Sequence, residues 1–176
     1  MAVNFLGLRQ LVELTLPKLI EGGSVVIVAS SAGRDWRDNQ RTVNSLLDTA
    51  DYAAGLSWLH SHKIEWEDEA YKFSKQCAAA YTYRAAGLAR DKGIRVNCIN
   101  PGIVETPLLP AFRDMLGPDT FDYIVDQSGR TGKPADIAAV ADYLLLGDCE
   151  WLNGVELTVD GGYYAGIVGG WIKPPP

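Results

Sequence analysis

Basic side chains are in short supply. Lys and Arg number 16 against 22 Asp and Glu, for a formal net charge of −6. A surface devoted to nucleic acid needs a continuous basic face, so that class of partner is excluded. Cysteine is sparse as well. Cys77, Cys98 and Cys149 are odd in number and widely spaced, which fits reduced thiols in a cytoplasmic setting better than a disulfide framework or a zinc site. No metal centre is expected. No apolar run approaches the length of a membrane span, and Met1 is followed by neither a basic stretch nor a long apolar run, so no secretory signal is expected. Repeats, low-complexity tracts and charged linkers are also missing. What is present is apolar material, 47% of 176 residues, enough for one core.

The pattern alternates between helix and strand. Leu8, Leu11, Val12, Leu16 and Leu19 fall near helical spacing over Val3 to Ile20, with Glu21-Gly22-Gly23 as the stop. Ser24 to Ala29 is a short apolar, β-branched run, predicted to be a strand buried on both faces. Gly33 to Glu69 is polar with Trp36, Trp58 and Trp66 interspersed, and only Thr42 to His60 favours helix. A stretch this long between strand and helix points to a lid or subdomain. Ala70 to Arg90 is predicted as a helix whose stripe is Phe73, Cys77, Tyr81, Ala85 and Leu88. Ile94 to Ile99 reads as the second strand, ending in the turn Asn100-Pro101-Gly102. Short helices follow over Thr106 to Leu116 and Asp119 to Gln127. Another opens at Pro134, with Ile137, Val140, Ala141, Leu144 and Leu145 facing the core. Gly154 to Val159 is the third strand and Asp160-Gly161-Gly162 its turn. This order predicts an α/β fold with a mostly parallel sheet and helices on both faces. Ligands in such sheets bind outside the carboxyl ends of the strands, which gathers Ser30, Ser31, Asn100 to Gly102 and Asp160 to Gly162 along one edge.

Tyr71 and Lys75, spaced i and i+4, share one helix face. A free tyrosine titrates near 10 and is a weak base at neutral pH, but a neighbouring ammonium favours the phenolate. A tyrosine tuned in this way can exchange a proton with an alcohol or carbonyl oxygen. Taken singly, each residue has a plainer reading: Tyr71 packs while Lys75 is solvated, Ser30 and Ser31 form a turn or cap, Asn4 and Thr106 cap helices, and Asn100-Pro101-Gly102 is a turn.

The series is more specific than its members. Asn4, Gly23 to Gly33, Tyr71-Lys72-Phe73-Ser74-Lys75, Gly93 to Gly102, Thr106-Pro107, Gly129-Arg130 to Pro134 and Val159 to Gly162 occur in that order. From Asn4 to Gly162 the chain resembles the second half of a classical short-chain dehydrogenase/reductase. The 41-residue offset from Ser30 to Tyr71 is similar to that of the 3α-hydroxysteroid dehydrogenase/carbonyl reductase and coniferyl-alcohol dehydrogenase subgroup.

The resemblance implies a Rossmann-like doubly wound parallel sheet, incomplete, forming a single partial domain over 1–176 with a substrate lid inserted at about 35–68. It implies an oxidoreductase that uses NAD or NADP to interconvert a secondary or aryl alcohol and its carbonyl, on a steroid-like or aromatic substrate. Tyr71 would be the acid/base, Lys75 would lower its pKa and bind the nicotinamide ribose, and Ser30 would orient the substrate oxygen, with Ser31 as the other member of the doublet. Asn4 matches the asparagine whose helix distortion holds a relay water. Pro101, Gly102, Ile103 and Thr106 match the loop at the nicotinamide end of the cofactor. Association as a homodimer or homotetramer is the family habit, and no membrane partner is implied. Trp36, Trp58 and Trp66 either line an apolar pocket or pack the insert onto the body. Glu65, Glu67, Asp68 and Glu69 suit the following helix N-terminus, and His60 and His62 read as solvated rather than as ligands.

One part of the pattern is not found. No Gly-x-x-x-Gly-x-Gly turn, the usual cradle for the pyrophosphate, precedes Asn4. Cofactor binding is therefore expected to be impaired, and the edge of the strand at Ser24 to be exposed, an aggregation liability. Three readings stay open: an oxidoreductase whose amino-terminal portion lies outside these 176 residues, a truncated remnant that serves as a binding or oligomerisation module, or a binding module without catalysis.

Overall fold

A computed structural model describes residues 1–62 and 66–175, with the backbone alone for 66–69. Its sheet has three parallel strands, β1 (Ser24–Val28), β2 (Arg95–Pro101) and β3 (Glu156–Val159), in the order β1-β2-β3. The register sets Ile27 beside Cys98 and Asn100 beside Thr158. The helices are α1 (Leu8–Thr15), α2 (Gln40–Leu47), α3 (Tyr52–Ser61), α4 (Trp66–Leu88), α5 (Leu109–Leu116), α6 (Pro118–Gln127), α7 (Pro134–Leu146) and α8 (Tyr163–Gly169). With strands and helices in this arrangement the fold is Rossmann-like, as expected.

The helix expected over Val3 to Ile20 is in three pieces. Ala2–Gly7 forms a π-helical turn in which the amides of Phe5 and Leu6 both donate to the Met1 carbonyl, at 3.0 and 3.3 Å. Such widened turns are uncommon and often lie at functional sites. α1 follows, and Leu16–Lys18 is a 3₁₀ turn containing Pro17, which has no N–H to continue an α-helix. Only Val12 and Leu16 of the predicted stripe are buried, while Leu11 is exposed.

β1 departs from its prediction. Ile27 is buried, but Val28 is 48% exposed, because β1 is an edge strand among the described residues and its end lacks cover on one side. β2 is the central strand, and Val96 to Asn100 are fully enclosed. The two sheet faces have different covers. Ile27, Val96 and Cys98 share a core with Phe73, Cys77, Tyr81 and Ala85 of α4, whereas Leu88, expected in that stripe, is 66% exposed at the helix end. On the other face, Ser24 Oγ and Arg95 Nη1 each donate to the Leu144 carbonyl of α7, both at 2.9 Å. Leu144 is the buried residue of α7, and Leu145, placed in its core face by spacing, is exposed.

The described part of the predicted insert contributes to the main core. Val43, Leu46 and Leu47 of α2 are buried with α4. Gly55 of α3 meets Leu6 so closely that a Cβ there would fall 2.6 Å from the leucine Cδ2. The three thiols are free and buried. No helix of the described residues is long and apolar enough to cross a membrane.

Candidate active site

β1 ends at Val28, and the chain turns through Ser30 into a 3₁₀ turn, Ser31–Gly33. Ser30 is extended, and its Oγ caps this turn by accepting from the Ala32 amide at 3.1 Å. The same hydroxyl lies near enough to the Tyr71 phenol on α4 to pull its pKa down. The Ser31 carbonyl instead accepts from Arg34 Nη1 at 2.9 Å. Of the two serines, Ser30 is the one brought to Tyr71.

Lys75 lies one turn along α4, with its Nζ 5.7 Å from the centre of the Tyr71 ring. The ammonium donates to the Val28 carbonyl at 3.3 Å. This is a long bond, and the group carries three N–H donors. Burial pulls the Lys75 pKa below its ordinary value, with the nearby Cys98 acting in the opposite sense. Burial also pushes the Tyr71 phenol above its ordinary value, against a smaller downward pull from Ser30. The expected lowering of Tyr71 by Lys75 does not figure in this geometry: desolvation disfavours both charged forms, and Tyr71 holds its proton at neutral pH.

The remaining predicted residues are spread around this centre. Gly102 donates its amide to Val159 at 3.0 Å, and a Cβ on it would stand 2.8 Å from Asp160 Cβ. Glycine is thus required where the loop after Pro101 passes the turn after β3. The Ile103 carbonyl accepts from Gly132 at 2.8 Å, while its N–H makes no hydrogen bond among the described residues. Thr106 is exposed, and its carbonyl receives the Leu109 amide at 2.9 Å. Asn4 lies exposed in the π-helical turn, and its side chain makes no hydrogen bond among the described residues.

Trp36 and Trp58 pack the insert onto the body. Trp36 is buried against Tyr83, with ring centres 5.6 Å apart. Trp58 stacks on Phe73 at 6.1 Å and on His62 at 3.8 Å. The side chains of Trp66, Glu67, Asp68 and Glu69, and Glu65 as a whole, lie outside the described residues.

Sequence reading missed several neighbours. Phe112 of α5 sets its ring edge-on to Tyr71 at 5.1 Å. Asp35 pairs with Lys72 at 2.9 Å and accepts from Gln76 at 2.8 Å. Glu156 collects donors from three elements. For Glu156 a signal existed: a lone carboxylate between Val155 and Leu157 in an apolar strand segment. Phe112 had no comparable signal.

A family profile described as enoyl-(acyl carrier protein) reductase matches residues 41–164. Coniferyl-alcohol dehydrogenase of a Pseudomonas strain is 30% identical over 91% of this chain and 63% of its own length. The 3-alpha-hydroxysteroid dehydrogenase/carbonyl reductase of Comamonas testosteroni is 26% identical over 92% and 64%. Among solved structures, a candidate 2-deoxy-D-gluconate 3-dehydrogenase from Agrobacterium tumefaciens, with NADP bound, is 26% identical with a TM-score of 0.55, over 87% of this chain and 50% of that one. The chain thus spans less than two thirds of the length of these relatives.

Proposed function

The chain belongs to the short-chain dehydrogenase/reductase family of NAD(P)-dependent oxidoreductases, and from that premise we propose that its Tyr71, Lys75 and Ser30 interconvert a secondary or aryl alcohol and its carbonyl. The observation that carries this reading is the convergence of Ser30, Tyr71 and Lys75: the serine hydroxyl acts on the Tyr71 phenol, and the Lys75 ammonium stands 5.7 Å from its ring one turn along the same helix.

The residues present suit the nicotinamide end of such a cofactor. Among the described residues the Lys75 ammonium meets a single carbonyl, at 3.3 Å, which leaves donors for a sugar hydroxyl. The Ile103 N–H stands at the carboxyl end of β2 beside Gly102. No Gly-x-x-x-Gly-x-Gly segment for the pyrophosphate occurs in the 176 residues. When bound, the nicotinamide supplies the hydride.

The chain supplies position and a proton. Ser30 Oγ, fixed by the Ala32 amide, aims a substrate oxygen at the Tyr71 phenol. Tyr71 holds a proton at its Oη and gives it to a carbonyl oxygen during reduction. In alcohol oxidation the phenol must first ionise, and Lys75 favours that form when its ammonium turns toward the ring. Phe112 covers one side of Tyr71 and gives a ring-bearing substrate an aromatic wall. We extend the same reading to a substrate class of steroid-like or aromatic alcohols, after the two curated relatives, and to a lid formed by the insert.

The test is a titration of the chain with NAD(H) and NADP(H), followed by assay of nicotinamide oxidation with aromatic ketones and aldehydes. The expected result is weak nucleotide binding, with whatever turnover it supports abolished by Tyr71→Phe. Turnover that survives Tyr71→Phe would remove the assignment. Absence of binding to either nucleotide would favour a role as a binding or oligomerisation module.

A further inference from the structure

Glu156 opens β3 with a side chain only 12% exposed, where a carboxylate is retained only if it is well supplied with donors. Its Oε1 accepts from the Trp36 indole at 3.0 Å and from the Tyr83 hydroxyl at 2.8 Å, and stands 3.3 Å from Arg37 Nη2. Its Oε2 accepts from Asn100 Nδ2 at 3.1 Å. The two oxygens thus serve different parts of the fold. Oε1 holds the segment that leaves the Ser30 turn, together with α4. Oε2 holds the last residue before the Pro101-Gly102 turn. Arg37 closes the first group by donating to the Tyr83 hydroxyl at 2.7 Å while lying over the Trp36 ring at 4.4 Å. The Trp36 indole and the Asn100 amide are joined through this carboxylate.

We propose that Glu156 is a positioning residue that holds the Ser30 to Gln40 segment and the Asn100 to Gly102 turn in one fixed relation. Its functional meaning rests on the catalytic reading above, in which Ser30 orients the substrate oxygen and the turn after Asn100 meets the nicotinamide end of the cofactor. The mechanical coupling does not depend on that reading.

Solvent exchange of the Trp36 indole N–H in the full chain, assigned by its loss in Trp36→Phe, tests the coupling. Asn100→Ala removes the Oε2 arm, together with the weaker contact from the Cys98 thiol to Asn100 Oδ1, and it should speed exchange at Trp36 by at least about threefold. Amides of α7 serve as the control and should not change. In a Glu156→Gln background, Asn100→Ala should have no further effect on Trp36. Exchange at Trp36 that ignores Asn100→Ala, or that rises equally in both backgrounds, would overturn the proposal, as would a uniform rise that includes α7. Should Glu156→Gln fail to fold, the Asn100→Ala result decides alone. Where turnover is measurable, Glu156→Gln should lower kcat several-fold and raise the cofactor KM, because the turn it frees meets the cofactor. Unaltered kcat would sink the positioning role even with the coupling intact. A chain without turnover would count against the catalytic reading and leave the exchange result standing.

Discussion

Gly33 lies against the backbone of Lys75 so closely that a Cβ on it would come within 2.5 Å of the lysine carbonyl carbon and oxygen. This contact is where the turn carrying Ser30 is pressed onto the helix carrying Tyr71. A side chain at position 33 cannot be accommodated by a rotamer change, because its obstacle is backbone.

Gly33→Ala should therefore separate the turn from α4. The expected loss is about 1–3 kcal/mol, typical of overpacking, read as a lower midpoint in denaturant at unchanged m. The approach of Ser30 to Tyr71 should be loosened with it. A variant as stable as the parent would show that the turn can move away freely.

Ser30 pulls the Tyr71 phenol down while burial raises it. Removing the serine hydroxyl takes away the downward pull, so Ser30→Ala should raise the Tyr71 pKa further, and Ser31→Ala should leave it alone. Tyrosinate absorbance, taken as the difference from Tyr71→Phe at each pH, measures this. The opposite ranking would make Ser31 the partner. For the proposed chemistry, alcohol oxidation should increase with pH into the alkaline range, because the phenolate is the base. Carbonyl reduction should hold up through neutral pH, where Tyr71 keeps its proton. Oxidation that peaks at neutral pH would contradict the raised phenol.

Cys98 is buried beneath α4, and burial pushes its thiol from an ordinary 9.0 up to about 12. The folded state thus keeps a proton that the unfolded chain releases. This stability is full below about pH 9 and drains as pH rises towards 12. Cys98→Ala should flatten the alkaline limb of a stability-against-pH curve while lowering its neutral plateau through the lost packing. An alkaline limb of unchanged slope would assign the loss to other groups.

Asp136 behaves in the reverse sense at the start of α7. A bidentate hydrogen bond from Arg130 and one from the Lys133 amide, at 2.7 Å, hold its carboxyl at about 2. The folded pKa lies below the unfolded one, so its contribution is present above about pH 4 and fades as pH falls towards 2. Asp136→Asn should lower the melting temperature at pH 7 and shrink that difference in acid. A difference that persists undiminished at low pH would show that the charge plays no part.

Legibility differed by residue type. Glycines 102 and 161–162, Pro134 and the β-branched runs announced turns, a helix start and three strands, because each acts on the backbone within a few residues. Tyr71 and Lys75 were legible for the same reason: four residues on a helix fix a shared face. Burial was less legible. Leu88, Leu145 and Val28 carry the right hydrophobicity at the right spacing, yet what covers each lies elsewhere in the chain, and helix ends and an edge strand lack that cover. The tryptophans of the insert had two readings until Trp36 was placed on Glu156 and Trp58 on Phe73.

The sequence by itself determined the element order, the parallel α/β class and the identity of the residues around one strand edge, since all of these follow from local periodicity and from motif order. The tertiary structure decided which serine lies beside Tyr71, that desolvation outweighs Ser30 in setting the phenol, and that a carboxylate on β3 ties the insert to the turn after β2. Each of these depends on burial and on contacts between residues 40 to 120 positions apart, which no local pattern encodes.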